Sequence, residues 1–156
     1  MEYTLALVGM GLMIGLSATG AGIGFGLLAQ TAIGGLKKRP EAWGNLLVLS
    51  AVPSSQGLYG FVAFIMYNTS LTAIVAAGPM TMTQGAIFFG AGIAVGLACM
   101  ITCIYQAKIC ASGALSIAEG NNVLGNTLIL AAFPEFFAIL SLVAAILMQG
   151  ALGIGA

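Results

Sequence analysis

The chain has 156 residues, 60% of them hydrophobic and only 5% charged, with a mean hydropathy of +1.11. No soluble domain of this size hides that much apolar surface, so the bilayer is its solvent and the expected fold class is an all-α membrane protein. Four basic and four acidic residues cancel and there is no histidine. Nothing in this balance suggests a nucleic-acid partner, and a zinc site would lack ligands.

In chain order, Met1-Glu2-Tyr3 lacks the basic start of a secretory signal, so no cleaved leader is expected. Residues 3–36 carry no charge and give a first helix, which the turn Lys37-Lys38-Arg39-Pro40-Glu41 ends. A second helix is expected over 42–75, up to the break Ala77-Gly78-Pro79. A third spans 83–118 and stops at the polar turn Glu119-Gly120-Asn121-Asn122. A fourth covers 123–153. A span needs roughly 20 apolar residues, so several of these helices must protrude or tilt. Lys37, Lys38, Arg39 and Lys108 all fall at one end of the bundle. The positive-inside rule makes that end cytoplasmic, with loops 37–41 and 119–122 inside and both termini and the 76–82 turn outside.

The second half repeats the first at an offset of 81 (Gly44 to Gly125). Gly9, Gly11, Gly15 and Leu16 recur as Gly90, Gly92, Gly96 and Leu97; Gly44, Asn45 and Pro53 recur as Gly125, Asn126 and Pro134. The reading is two tandem helical hairpins, 1–78 and 79–156, inserted in the same orientation. Glycine around much of helix one suits crowding on several sides, as on the inner wall of a ring; scattered glycine for generic membrane packing is the plainer alternative. A nucleotide loop is excluded because no G-x-G-x-x-G follows a strand. Cys99, Cys103 and Cys110 all lie in helix three and read as packing residues.

Glu135 is the feature that the rest must explain. It stands near the middle of TLILAAFPEFFAILSLVAAILM (127–148), and its counterpart in the first hairpin is Ser54. A carboxylate at that depth costs several kcal/mol and needs a partner. Counted from the cytoplasmic ends, Glu135, Gln106 and the pair Ser55-Gln56 all lie about 12 or 13 residues in, roughly 18 Å deep at 1.5 Å per residue. Val52, Ser55, Gln56 and Tyr59 share one helical face, and Cys99, Thr102, Cys103, Gln106 and Cys110 form a stripe on helix three. Pro53 deprives the Leu49 carbonyl of its helical donor and loosens the backbone there, so that nearby carbonyls, Val52 among them, can turn to a ligand. Hydroxyl, amide, carboxylate and carbonyl oxygens at one level suit a small hard cation, and the Tyr59 phenol can hydrogen-bond the carboxylate. Two plainer readings stand beside this one. The glutamines and Ser55 are also ordinary interhelical hydrogen-bonding groups. Lys108, nearer the cytoplasm, either pairs with Glu135 or snorkels to the interface.

With PSSQGLYG (53–60), YQAK (105–108) and PEFFAIL (134–140) in a duplicated hairpin, the chain resembles the proteolipid subunits of V-type ATPases. The likeness is greatest to the K subunit, the c-type rotor subunit, of bacterial sodium-translocating V-type ATPases. The resemblance covers essentially the whole chain. It implies a homo-oligomeric ring with helices one and three inside and two and four outside, turning against a stator membrane subunit that carries an arginine. It also implies a central-stalk adaptor of an ATP-hydrolysing head at the cytoplasmic loops. Carried over by position, the sodium ligands would be the Val52 carbonyl, Ser55, Gln56, Gln106 and Glu135, with Tyr59 bonding the carboxylate. The sodium branch usually has threonine where this chain has Ser55. The chain itself would not be catalytic and would need no organic cofactor. Rival readings are the same rotor carrying protons, a small four-helix cation or drug antiporter, and a purely structural membrane protein.

Overall fold

The computed structural model describes residues 1–153. Its helices are α1 (Glu2–Lys38), α2 (Trp43–Ala51), α3 (Ser55–Ala77), α4 (Met82–Ala118) and α5 (Leu124–Gly150). Short 3₁₀ turns at Pro40–Ala42 and Val52–Ser54 lead into α2 and α3. The four spans Glu2–Lys38, Pro40–Ala77, Met82–Ala118 and Leu124–Gly150 are each long and apolar enough to cross a membrane. At 37 residues, α1 and α4 are each about 55 Å long, well beyond ~30 Å of hydrocarbon.

The expected second helix is two helices. Pro53 has no N–H for the Leu49 carbonyl and its ring crowds that turn, so α2 stops at Ala51 and a tighter turn carries the chain into α3. The Cys103 thiol, 2.9 Å from the Pro53 carbonyl, bonds the disturbed backbone from α4. Pro134, at the matching place, lies inside an uninterrupted α5. The fourth helix ends at Gly150 rather than 153, in a turn through Ala151 and Leu152. The remainder of the expected second hairpin, 154–156, lies outside the described residues.

Close approach of α1 to α4 organises the bundle, and theirs is the most extensive contact between helices. Glycine makes it possible. A Cβ on Gly92 would strike the Gly9 backbone, and one on Gly9 would strike that of Phe88. A Cβ on Gly20 would come within 2.5 Å of Met100 Cα, and one on Gly96 within 2.5 Å of the Leu12 carbonyl oxygen. With the side chains gone, backbone packs on backbone, as small residues allow in membrane helices. Along α3, α1 packs on one side, and α5 packs along α4, so α3 and α5 meet over the central pair. Tyr67 donates to the Ala145 carbonyl at 2.7 Å and sets its ring edge-on to Phe88. Gln149 donates to Ser70 Oγ at 2.6 Å and to the Met66 carbonyl at 3.1 Å, stitching α5 to α3 towards the other end.

The turns show why each helix stops. Gly78 (φ +147°) and Gly120 (φ +104°) hold backbone conformations that a Cβ would strain. Thr81 and Gln84 form a reciprocal capping box at the start of α4. Arg39 donates to Glu41 at 2.9 Å and, through Nη1, to the Ile117 carbonyl at 3.3 Å, tying the first turn to the end of α4. Large apolar side chains such as Leu58, Phe133, Phe137 and Leu147 stay exposed on the outer helices, as expected where the solvent is lipid.

Crowding and openness of the glycines can be compared directly. Gly92→Ala forces a methyl against backbone that cannot turn aside, and unfolding in mixed detergent micelles should show a loss of about 1–3 kcal/mol. Gly34, exposed with nothing near its missing Cβ, is the control. Gly34→Ala should be neutral or stabilising by up to about 1 kcal/mol.

Candidate ion-binding site

Five side chains from three helices converge on one hydrogen-bonded chain at Glu135. The Tyr59 hydroxyl on α3 donates to Glu135 Oε1 at 2.6 Å. Gln106 Nε2 on α4 donates to Glu135 Oε2 at 3.1 Å and to the Ala131 carbonyl at 2.9 Å. Gln56 Nε2 in turn donates to Gln106 Oε1 at 3.0 Å, and the Thr102 hydroxyl lies 2.7 Å from Gln56 Oε1. Both glutamines are fully buried, yet no buried side-chain nitrogen or oxygen among the described residues lacks a partner. From Gln56 through Gln106 the amide donors run towards the carboxylate, while the single Thr102 proton is shared between Gln56 Oε1 and the Ala98 carbonyl at 2.6 Å.

Local sequence explains the convergence. On α4, Thr102 and Gln106 are four residues apart and stack on one face, with Cys99 and Cys103 beside them. The restart of the second span at Ser55 puts Gln56 and Tyr59 on the side of α3 that meets α4 and α5. Behind them, Gly57 and Gly60 let α3 lie against Ala21 and Ser17 of α1, where a Cβ would collide. On α5, the Ala131 carbonyl, one turn before Glu135, takes the second proton of the Gln106 amide.

Glu135 is half-buried. It opens on its outer side into an apolar groove of about 710 Å³ lined by Ile129, Ala132, Phe133, Phe136 and Ile139. The carboxylate thus sits at the rim, protein donors behind it and the lipid-facing surface in front.

Gln56, Tyr59, Gln106 and Glu135 are brought together. Val52 and Ser55 are adjacent but bonded to each other, the Ser55 hydroxyl donating to the Val52 carbonyl at 3.1 Å. Lys108 is exposed, its ammonium 4.9 Å from the centre of the Tyr105 ring, and makes no ion pair with Glu135. Ser54, the repeat counterpart of Glu135, is exposed. Thr102 is the participant that the sequence places only on a stripe. Its spacing of four from Gln106 was the signal, but which neighbour its hydroxyl would reach depends on how α3 crosses α4. No cluster of three or more His, Cys, Asp or Glu side chains able to hold a metal occurs among the described residues. Any cation here would rest on one carboxylate and neutral oxygens, a hard-cation set.

A duplicated hairpin with one membrane acid held by tyrosine and glutamine defines a proteolipid type of membrane protein. The profile of the ATP synthase C subunit family matches the chain twice, at residues 8–67 and 89–148, so the two matches are offset by the same 81 residues as the internal repeat. The chain belongs to the ATP synthase C subunit family, in a form with two tandem copies. It is 34% identical over 144 residues to the A-type ATP synthase subunit K of Methanocaldococcus jannaschii, covering 92% of this chain and 61% of that one. It is 32% identical over 133 residues to the V-type sodium ATPase subunit K of Enterococcus hirae, covering 85% of this chain and 81% of the relative. The c″ subunit of the V-type proton ATPase of Saccharomyces cerevisiae is 26% identical over 151 residues, 95% of this chain and 71% of the relative.

The network makes a stability prediction independent of any ion. Thr102→Val keeps the shape and leaves the buried Gln56 oxygen without its donor. Thermal unfolding in detergent should show a loss of about 1–3 kcal/mol.

Proposed function

We propose that this chain is a rotor-ring subunit of a V/A-type ATPase that carries sodium ions across the membrane on Glu135. Membership of the ATP synthase C subunit family supports the rotor role, and one observation carries the choice of ion: both Glu135 oxygens face hydrogen-bond donors, Tyr59 and Gln106. A proton on that carboxylate would meet two donors, whereas a bound cation leaves the carboxylate charged, keeps the Tyr59 bond useful and takes the place of the Gln106 donor. The relatives' names include both a sodium and a proton ATPase, so the choice rests on the geometry.

In this reading sodium takes oxygen from Glu135 first. The Gln106 and Gln56 amides supply oxygen by turning, which exchanges the Nε2 bonds to Glu135 and to Gln106 for ion contacts. The Val52 carbonyl and Ser55 hydroxyl complete the set from the second span, and Tyr59 holds the carboxylate still. An empty, unpaired carboxylate facing lipid is heavily penalised. Glu135 therefore alternates between sodium-loaded in lipid and paired with an arginine of a stator membrane subunit, and the ring cannot turn without carrying its ion. Copies of the chain form the ring, with both termini outside the cell membrane and loops 37–41 and 119–122 in the cytoplasm. There they meet the central-stalk adaptor of a head whose other subunits hydrolyse ATP.

A carbodiimide that labels Glu135 tests the ion. At fixed pH, sodium should slow the labelling, and Glu135→Gln should abolish it. Labelling indifferent to sodium would hand the role to protons. Gln106→Leu, which removes a neutral ligand, should raise the sodium concentration for half-protection about tenfold or more, equivalent to a lost contact of about 1.5 kcal/mol.

A further inference from the structure

Thr102 has one proton and two acceptors. Its hydroxyl lies 2.6 Å from the Ala98 carbonyl in its own helix and 2.7 Å from Gln56 Oε1 on α3. Neither of those oxygens can donate, so one of the two contacts is always without a hydrogen. Other hydroxyls of the chain, such as Thr19, Thr31, Thr69 and Thr127, bond the carbonyl four residues back, the common habit of a helical hydroxyl. Thr102 does this too, and then meets a second oxygen.

A satisfied version of the same arrangement exists elsewhere in the bundle. Towards the other end of α3, Ser70 donates to the Met66 carbonyl at 3.3 Å and accepts from Gln149 Nε2 at 2.6 Å. There a glutamine presents nitrogen to the hydroxyl, and both contacts hold a hydrogen. At Thr102 the glutamine presents oxygen. The reason lies further along the chain of bonds. Gln106 Nε2 is held by Glu135 and the Ala131 carbonyl, so its Oε1 takes the nitrogen of Gln56. The bare carboxylate sets the polarity of both amides, and the mismatch falls on Thr102.

Exchanging nitrogen and oxygen in both amides moves the mismatch to the opposite end. Gln56 Nε2 then faces Thr102, whose hydroxyl accepts from it while donating to Ala98, as Ser70 does with Gln149 and Met66. Gln56 Oε1, brought to the Gln106 side, keeps a second lone pair for an ion. Gln106 Oε1 comes to face Glu135 Oε2 and the Ala131 carbonyl. Three oxygens meet there without a proton, which only a cation or a protonated Glu135 relieves. The amides must turn together, because they cannot face each other with two nitrogens or two oxygens.

Resting on the sodium reading above, we propose that Thr102 is a positioning residue for the transported ion, stabilising the turned amides in which the oxygens of Gln106 and Gln56 face the site. Thr102 does not touch the ion; it acts through Gln56. Its hydroxyl can both donate and accept, so it serves either face of that amide, but only the turned one leaves it fully bonded. Without the hydroxyl, the empty arrangement loses one hydrogen bond and the loaded arrangement loses two. The difference is a weaker hold on sodium.

Carbodiimide labelling of the full-length chain measures that hold. Thr102→Val should raise the sodium concentration for half-protection of Glu135 about fivefold, the worth of one hydrogen bond, and Thr102→Ser should return it to within about twofold of the unsubstituted chain. Ser70→Ala removes a comparable bond between α3 and α5 away from the site, and should leave half-protection unchanged. An equal shift in Ser70→Ala, or no recovery in Thr102→Ser, would assign the effect to a loosened bundle and overturn the proposal. The turn itself is read in the unsubstituted chain, so it does not depend on a variant folding. With glutamine side-chain nitrogens and glutamate carboxyl carbons isotope-labelled, solid-state NMR should show the Gln106 nitrogen beside the Glu135 carboxyl without sodium. Saturating sodium at the same pH should abolish that contact and, with labelled threonine, bring the Gln56 nitrogen to Thr102. If the Gln106 contact survives while sodium still protects Glu135 from labelling, the role of Thr102 is refuted and the sodium reading stands. Labelling indifferent to sodium would remove both.

Discussion

A carboxylate inside an apolar bundle has to be answered by its surroundings, and the answer at Glu135 organises the molecule. Tyr59 and Gln106 come from different helices and reach its two oxygens. That requires α3, α4 and α5 to meet within a hydrogen bond's length at one depth. The approach of α3 depends on Gly57 and Gly60 lying against α1, and the placing of α4 depends on the glycine contacts with α1 at Gly9, Gly20, Gly92 and Gly96. Glycine is therefore as much a part of the site as the glutamines. It sets the distances at which polar groups can meet in a medium that supplies no water to bridge them.

The two hairpins share an ancestry of sequence but have divided their tasks. Pro53 breaks the second span, while Pro134 is absorbed into α5. The position of Glu135 is Ser54 in the first hairpin, and those of Gln56 and Tyr59 are Phe137 and Leu140 in the second. One hairpin supplies the acid and the other supplies much of what surrounds it, with α4 contributing Gln106 and Thr102. The hydrogen-bonded cluster lies within one chain because it forms where the hairpins meet. A bundle of two identical hairpins would carry two acids, each with half of this environment.

The arrangement also puts the donors to Glu135 and its open side on opposite faces of the carboxylate. Donors that bond Glu135 lie behind it, and the apolar groove lies in front. Because both oxygens accept bonds from the protein side, the charge is held in place while its outer edge faces the surface. Under the proposed function, in which the carboxylate exchanges one neutralising partner for another, that combination of restraint and access is what the exchange requires. Lys108 does not interfere, since its ammonium rests on the Tyr105 ring rather than reaching the acid.

The sequence by itself determined the membrane class, the four spans, the duplication at 81 and the depth at which Glu135, Gln106 and Gln56 lie. These follow from composition, from the sparse charges that mark the turns, and from the constant rise of a helix. Tertiary structure alone decided which atoms touch. It turned the Gln106 nitrogen to Glu135 and Ala131, recruited Thr102 behind Gln56, and left Ser55 bonded to Val52. It also stopped α2 at Ala51 and sorted the glycines of α1 into a crowded face and an open one. The physical reason is that depth is a property of one helix, whereas contact depends on the rotation and crossing of several. Those are fixed by backbone packing between helices far apart in the chain, which no local periodicity records.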